Sequence, residues 1–304
     1  MVSMEYVEII MQALLLLMLA PLLSGFIKIV KARLQNRRGP KLLQSYYDLA
    51  KLLQKDSVFS PTISAIFPVS PYVYFTVTLT AAAMLPLTLF GSASRSFDVF
   101  LLIYLLAAGR LFMVLASLDA GSTFGGMGGS REMYLSVLIE PLLLLTLLTV
   151  ATRSNSTNLL SMAAIAEKTP FSLPYIFAAI AFCIIMIAET GRVPIDNPDT
   201  HLELTMIHEG MILEYSGRYL GLIHWAASLK QLIILILFVL FFLPWKFSLF
   251  HGWVPTAAWF LLKLFFAAAL LGIAETGTNK MRLFRVPGFL AVSGLLSILA
   301  LVAQ

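Results

Sequence analysis

Apolar runs of membrane-crossing length recur along the chain at roughly 8–30, 70–90, 98–118, 132–152, 172–190, 222–245, 255–276 and 286–303. A bilayer core about 30 Å thick takes about 20 apolar residues of helix, so these runs predict eight spans. Between the first two lies a segment of different pattern. After the Arg38-Gly39-Pro40 turn, Leu42, Leu43, Tyr46, Leu49, Ala50 and Leu53 recur at helical spacing within a basic stretch, 31–58. That pattern predicts an amphipathic helix at the membrane surface, and a plain basic anchor reads equally well. The expected fold is an all-α polytopic membrane protein, a single transmembrane domain over 1–304.

Two connections stand out. Residues 119–131, within LDAGSTFGGMGGSRE, hold five glycines between Gly121 and Gly129 and read as a Gly-rich loop. No Gly-Lys-Ser/Thr follows, so a phosphate cradle is disfavoured and a loop folded against a partner is favoured. Residues 189–221 form the second. Glu189 to Gly217 carries six of the sixteen acidic residues, although a connector needs only a few residues.

Composition agrees with the pattern. The chain has 304 residues, is 59% hydrophobic and 12% charged, and has a mean hydropathy of +0.89, too apolar for a soluble domain. The formal charge of +5 reports topology before it reports nucleic acid. Alternate connections carry fourteen basic residues against four, with Arg110, Lys230 and Lys263 inside spans. The positive-inside rule then places the acidic segment in the cytoplasm and both termini outside. No Lys or Arg precedes the first apolar run, so it reads as a retained helix rather than a cleaved leader. The single Cys183 cannot build a cysteine-held zinc or iron–sulfur site, so any redox metal belongs to another chain.

Ionisable residues within the spans are the candidate chemistry. Glu140 is surrounded by IEPLLLLTLL, with no evident route to water, and Glu132 lies two turns earlier, roughly 12 Å along the same helix. Arg110 is a possible partner for either. Lys230 and Lys263 sit in the sixth and seventh spans, while Glu189 and Glu275 close the fifth and seventh within a repeated Ala-Glu-Thr-Gly tetrapeptide. Together these groups resemble a polar wire. The plainer alternative is paired charge that fixes helix packing, or Lys and Arg snorkelling to the surface. His201 and His208 lack the HExxH spacing of a zinc site and read as interface histidines, with proton transfer as the alternative.

In order along the chain, RRGP with LLQSYYDLAKLL, LDAGS, GSRE followed by IEP, and ETGRVPID with Glu203-Leu204 and EYSG resemble one family. It is the membrane subunit shared by respiratory complex I (its subunit 1 family) and energy-converting group 4 NiFe-hydrogenases of formate-hydrogenlyase type. The resemblance implies a non-redox subunit in the cell inner membrane that docks a peripheral redox arm. It would couple electron transfer to proton or sodium movement. By motif position it makes Glu132, Glu140, Glu189, Asp196, Glu203 and Glu214 the coupling path, with Lys230 and Glu275 added from the spans. Arg110, Arg131 and Arg192 become charge partners, and Arg37, Arg38, His201, His208 and Glu209 docking residues. The NiFe centre and iron–sulfur clusters are expected in partners: hydrogenase large and small subunits, iron–sulfur subunits and antiporter-like membrane subunits. His201 stands where complex I members usually show an acid, and the interval from Glu203 to Glu214 is longer by about three residues. Those departures favour the hydrogenase branch over a quinone-site subunit. A purely structural anchor and a stand-alone secondary transporter are rival readings of the same residues.

Overall fold

A computed structural model of the chain describes residues 2–87, 97–168, 172–196, 206–245 and 253–304, leaving aside the side chains of 2–5 and 253. The described residues form α1 (Val2–Leu34), α2 (Gln44–Gln54), α3 (Ile66–Ala83), α4 (Val99–Asp119), α5 (Thr123–Ser154), α6 (Leu159–Lys168), α7 (Leu173–Glu189), α8 (His208–Met211), α9 (Gly217–Phe242), α10 (Trp253–Gly277) and α11 (Val286–Val302). Each predicted span coincides with a helix. Among the described residues seven helices are long and apolar enough to cross a membrane, and α7, with 17 residues, is the shorter eighth. At 1.5 Å per residue α7 reaches about 25 Å, slightly less than a bilayer core. The chain continues beyond it as irregular backbone, turning at Gly191 (φ +59°) and burying Val193, Ile195 and Asp196. Non-helical backbone of this kind is tolerated near a membrane when protein covers it.

α9 is the axis of the bundle. Leu232 to Leu237 are fully buried on every side, as expected for a helix apolar all round that neighbours enclose. It packs against α3, α1, α2, α10, α7 and α6. The described connections lie at two ends. At one, α2, α8, the α4–α5 and α10–α11 connections and the described part of the α7–α9 connection gather. At the other, Val99 N donates to Thr157 O (2.9 Å) and Leu159 N to Phe97 O (2.9 Å), while Asp98 caps α4 through Phe100 N (2.8 Å).

One expectation needs correction. The glycine-rich segment is helix from Thr123 onward, capped by Ser122 accepting from Gly125 N at 3.1 Å, so only residues 120–122 form a connection. Gly125, Gly128 and Gly129 serve close packing. A Cβ on Gly128 would lie 2.9 Å from the Ile207 carbonyl oxygen and the Met211 amide nitrogen, and one on Gly125 2.9 Å from the Ser117 carbonyl oxygen. Helices α6 and α8 are also additional to the predicted elements. α2 matches the amphipathic expectation, but it rests on the bundle: Leu49 is buried, and Leu52 closes on Gly221 of α9. Tyr47 and Leu53 of α2, and Leu42 and Leu43 just before it, remain exposed.

Candidate functional site

Glu189 ends α7 and Glu275 lies in the last turn of α10. A carboxylate at a helix C-terminus meets the negative end of the macrodipole, so each needs nearby cations. Arg110 of α4 and Lys230 of α9 supply them to Glu189. Arg110 Nη2 donates to Glu189 Oε1, and Lys230 Nζ lies 2.8 Å from the same oxygen. For Glu275 the cations are Lys31 of α1 at 3.0 Å and Arg192 at 3.6 Å.

Arg110 does more than hold Glu189. Its Nη1 donates to Ser136 Oγ (2.8 Å) and to Glu140 Oε1 (3.3 Å), and its Nε lies 3.5 Å from Glu132 Oε1. Ser136 in turn donates to Glu140. One guanidinium, itself 6% exposed, therefore gathers three carboxylates from α5 and α7. Its planar fork allows this, whereas a lysine ammonium presents a single point charge. Glu140 differs from the sequence-based expectation. Its side chain is 29% exposed and paired with Arg110 and Ser136, so hydrocarbon does not enclose it alone. Pro141 follows it inside α5 and withholds a backbone donor from the preceding turn.

A third cluster ties down the acidic segment. Asp196 Oδ2 accepts from Ile207 N and His208 N (3.2 Å each), and Oδ1 lies 3.1 Å from Lys280 Nζ. Arg131 Nη1 donates to the Met206 carbonyl at 3.0 Å, so this arginine holds backbone where a carboxylate was expected. Arg192 does meet an acid, Glu275, and also donates to Gln231 Oε1 at 3.1 Å.

These clusters surround one cavity of about 380 Å3. Its wall includes Arg110, Glu132, Glu189, Arg192, Asp196, His208, Glu209 and Lys230 from the sequence-predicted set. Glu140 and Glu275 stand behind it as partners of wall residues. Glu214 is exposed and is not on the wall, and Arg37 and Arg38 are exposed in the turn after α1. His201 and Glu203 lie outside the described residues. Lys263, in α10, donates to the Leu243 carbonyl at 2.9 Å and closes the end of α9, a packing role.

Sequence reasoning missed His224, Gln231, Tyr74, Asp48 and Lys280. His224, Ala227, Ser228 and Gln231 recur as i, i+3, i+4 and i+7, one face of α9 directed at the cavity. Their spacing within an apolar helix was the available signal. Among the described residues no group of three or more His, Cys, Asp or Glu is arranged to hold a metal. With one cysteine in the chain, nickel and iron–sulfur ligation does not fit these residues.

The NADH dehydrogenase family description matches residues 7–303. Formate hydrogenlyase subunit 4 of Escherichia coli K12 is 41% identical over 239 residues, covering 78% of this chain and 77% of that protein. Hydrogenase-4 component C of the same organism is 38% identical over 237 residues, 77% and 74% of the two chains. The H subunit of the NADH-quinone oxidoreductase of Geobacillus thermodenitrificans is 29% identical over 248 residues, 76% and 71%. A chain from the solved structure of the membrane-bound sulfane sulfur reductase, an archaeal respiratory membrane complex, shares the fold with TM-score 0.78. It is 21% identical, covering 96% of this chain and 99% of that one.

Proposed function

Because the chain belongs to the NADH dehydrogenase family, we propose that it is the integral membrane subunit of an energy-converting hydrogenase complex of formate-hydrogenlyase type. In this reading it docks the peripheral redox arm and couples electron transfer to ion movement. The identities of 41% and 38% to hydrogenase-named relatives, against 29% to the quinone-named one, favour that branch. The observation that carries the coupling role is the sharing of Arg110 by Glu132, Glu140 and Glu189. Three acids on one guanidinium cannot all be equally compensated. A proton arriving at one of them frees the guanidinium to strengthen its bonds to the others, so charge state and geometry change together.

The redox arm, carrying the NiFe centre and iron–sulfur clusters on hydrogenase large, small and iron–sulfur subunits, docks at the end that gathers α2, α8 and the acidic segment. By the basic-residue count this end faces the cytoplasm and the termini face outside. A change of charge in the docked arm alters the field in the cavity, and the acids respond by exchanging protons. Glu140, at the outer side of the cluster, passes the change to an antiporter-like membrane subunit. Asp196 fastens the acidic segment to the bundle.

The test uses the whole complex in sealed vesicles. Glu189→Gln and Glu140→Gln should each leave assembly and hydrogen turnover in place. Redox-linked acidification should fall about a hundredfold, the low end of what a positioned proton-transfer group contributes. Full acidification in assembled variants would leave the structural-anchor reading. Turnover blocked by quinone-site inhibitors, with quinone bound in the purified complex, would move the chain to the quinone branch.

A further inference from the structure

Buried polar atoms without a protein partner mark where a structure expects something else. Three such atoms belong to residues on the cavity wall: Arg110 Nε, which has Glu132 Oε1 at 3.5 Å, and two others, Glu189 Oε2, an acceptor, and Gln231 Nε2, a donor. The orientation of the Gln231 amide is determined. Arg192 Nη2 donates to its oxygen at 3.1 Å, and a guanidinium has no acceptor to offer a flipped amide. Gln231 is 6% exposed and the Glu189 side chain 2%, so bulk solvent satisfies neither.

The pairing of one donor with one acceptor selects the chemistry of the occupant. An anion would accept from Gln231 and be repelled by Glu189. A cation would suit Glu189 and oppose the amide N–H. A carbonyl would fill the first and leave the second unmet. Water accepts and donates at once, and at roughly 30 Å3 each several molecules fit within about 380 Å3.

We infer that the cavity holds an ordered water between Gln231 Nε2 and Glu189 Oε2, and that Gln231 is a positioning residue for proton exchange at Glu189. The amide N–H donates to the water oxygen and so turns the water's own hydrogens toward acceptors. In the exchange Glu189 takes one hydrogen from this water as the water takes one from its neighbour in the cavity. One O–H bond breaks and one forms on the water oxygen, no electron moves, and the amide keeps both hydrogens. Arg192 spans Gln231 and Glu275, whose Oε2 also has no protein partner. The second buried carboxylate thus joins the first through Gln231, and the polar network runs from Glu140 on α5 across to α10.

The functional part of this inference rests on the coupling role proposed for Glu189, and the two fail separately. In a high-resolution structure of the intact complex, water density within hydrogen-bond distance of both atoms is expected. Absence of that density, or a protein acceptor on Gln231 Nε2, overturns the site whatever the function. In vesicles, Gln231→Met should preserve assembly and hydrogen turnover while lowering protons moved per turnover about fivefold, the factor that one hydrogen bond of about 1 kcal/mol allows. Unchanged proton movement in that variant, with Glu189→Gln defective, removes Gln231 from the path and leaves the coupling role standing. Unchanged movement in Glu189→Gln refutes the coupling role instead.

Discussion

The tetrapeptide Ala-Glu-Thr-Gly closes both α7 and α10, and in both places its glutamate is buried against two cations. The surroundings then diverge. Glu189 shares Arg110 with Glu132 and Glu140 and stands on the cavity wall, whereas Glu275 lies behind the wall, bridged by Lys31 and Arg192. The same local sequence meets the same macrodipole problem, but the solution at Glu189 puts three acids directly on one guanidinium. A carboxylate held between two cations fastens helices together. A carboxylate whose partner is shared can pass a change of charge to its neighbours.

The largest effect should follow from removing the shared partner. Arg110→Met leaves Glu132 and Glu140 without this cation and Glu189 with Lys230 alone. Losing one side of a buried ion pair costs about 3–5 kcal/mol, so complex yield and thermal midpoint should both fall sharply. Lys31→Met removes one of two cations from Glu275, with Arg192 still 3.6 Å away, and should cost about 1.5 kcal/mol. Equal losses in the two variants would erase the distinction between the ends.

That distinction was only half legible in the chain. The apolar periods locate the helices, and Glu132, Glu140, Glu189, Glu275 and Arg110 stand out because charge inside apolar helix is costly. Which acids share a base depends on how α4, α5, α7 and α9 pack, and no local pattern encodes that. The glycines from 121 to 129 read as loop because glycine weakens isolated helices. In the fold they continue α5, since Gly128 lets the backbone near Ile207 and Met211 approach α5 closely. Asp196 meets Lys280 across 84 residues, and Gln231 meets Arg192 across 39. Both are tertiary facts.

A matched pair of glycines sharpens the comparison at intermediate size. At the Glu189 end, Gly128→Ala would place a Cβ 2.9 Å from two backbone atoms, which cannot rotate aside. Forcing the α8 region away from α5 should cost about 1–3 kcal/mol and loosen the segment that Asp196 anchors. At the Glu275 end, Gly272→Ala meets Val30 Cγ1 at 3.2 Å, the tip of a side chain that can shift a few tenths of an ångström. Alanine is also favoured in a helix by up to about 1 kcal/mol. Thermal midpoints of the two variants should therefore separate, Gly128→Ala falling and Gly272→Ala holding. Loss in both would show that each end is equally close-packed.

The smallest effect is expected where neither carboxylate is touched. Tyr215, between α8 and α9, stacks on Phe67 with ring centroids 4.0 Å apart and donates its hydroxyl to the Phe67 carbonyl at 2.8 Å. Tyr215→Phe keeps the stacking and removes one buried hydrogen bond, a loss of about 1 kcal/mol. Burial first, and the Asp119 charge second, hold the phenol above its ordinary value of 10.0, so it stays a neutral donor. A group whose folded pKa is raised contributes fully below the unfolded value and loses that contribution as pH rises toward the folded one. The stability gap between the parent chain and Tyr215→Phe should accordingly be constant up to pH 10.0 and narrow above it. Proton movement per turnover should be unaltered in this variant. A defect there would mean that the α8–α9 turn transmits charge as well as anchoring, and that coupling extends beyond the acids held by Arg110.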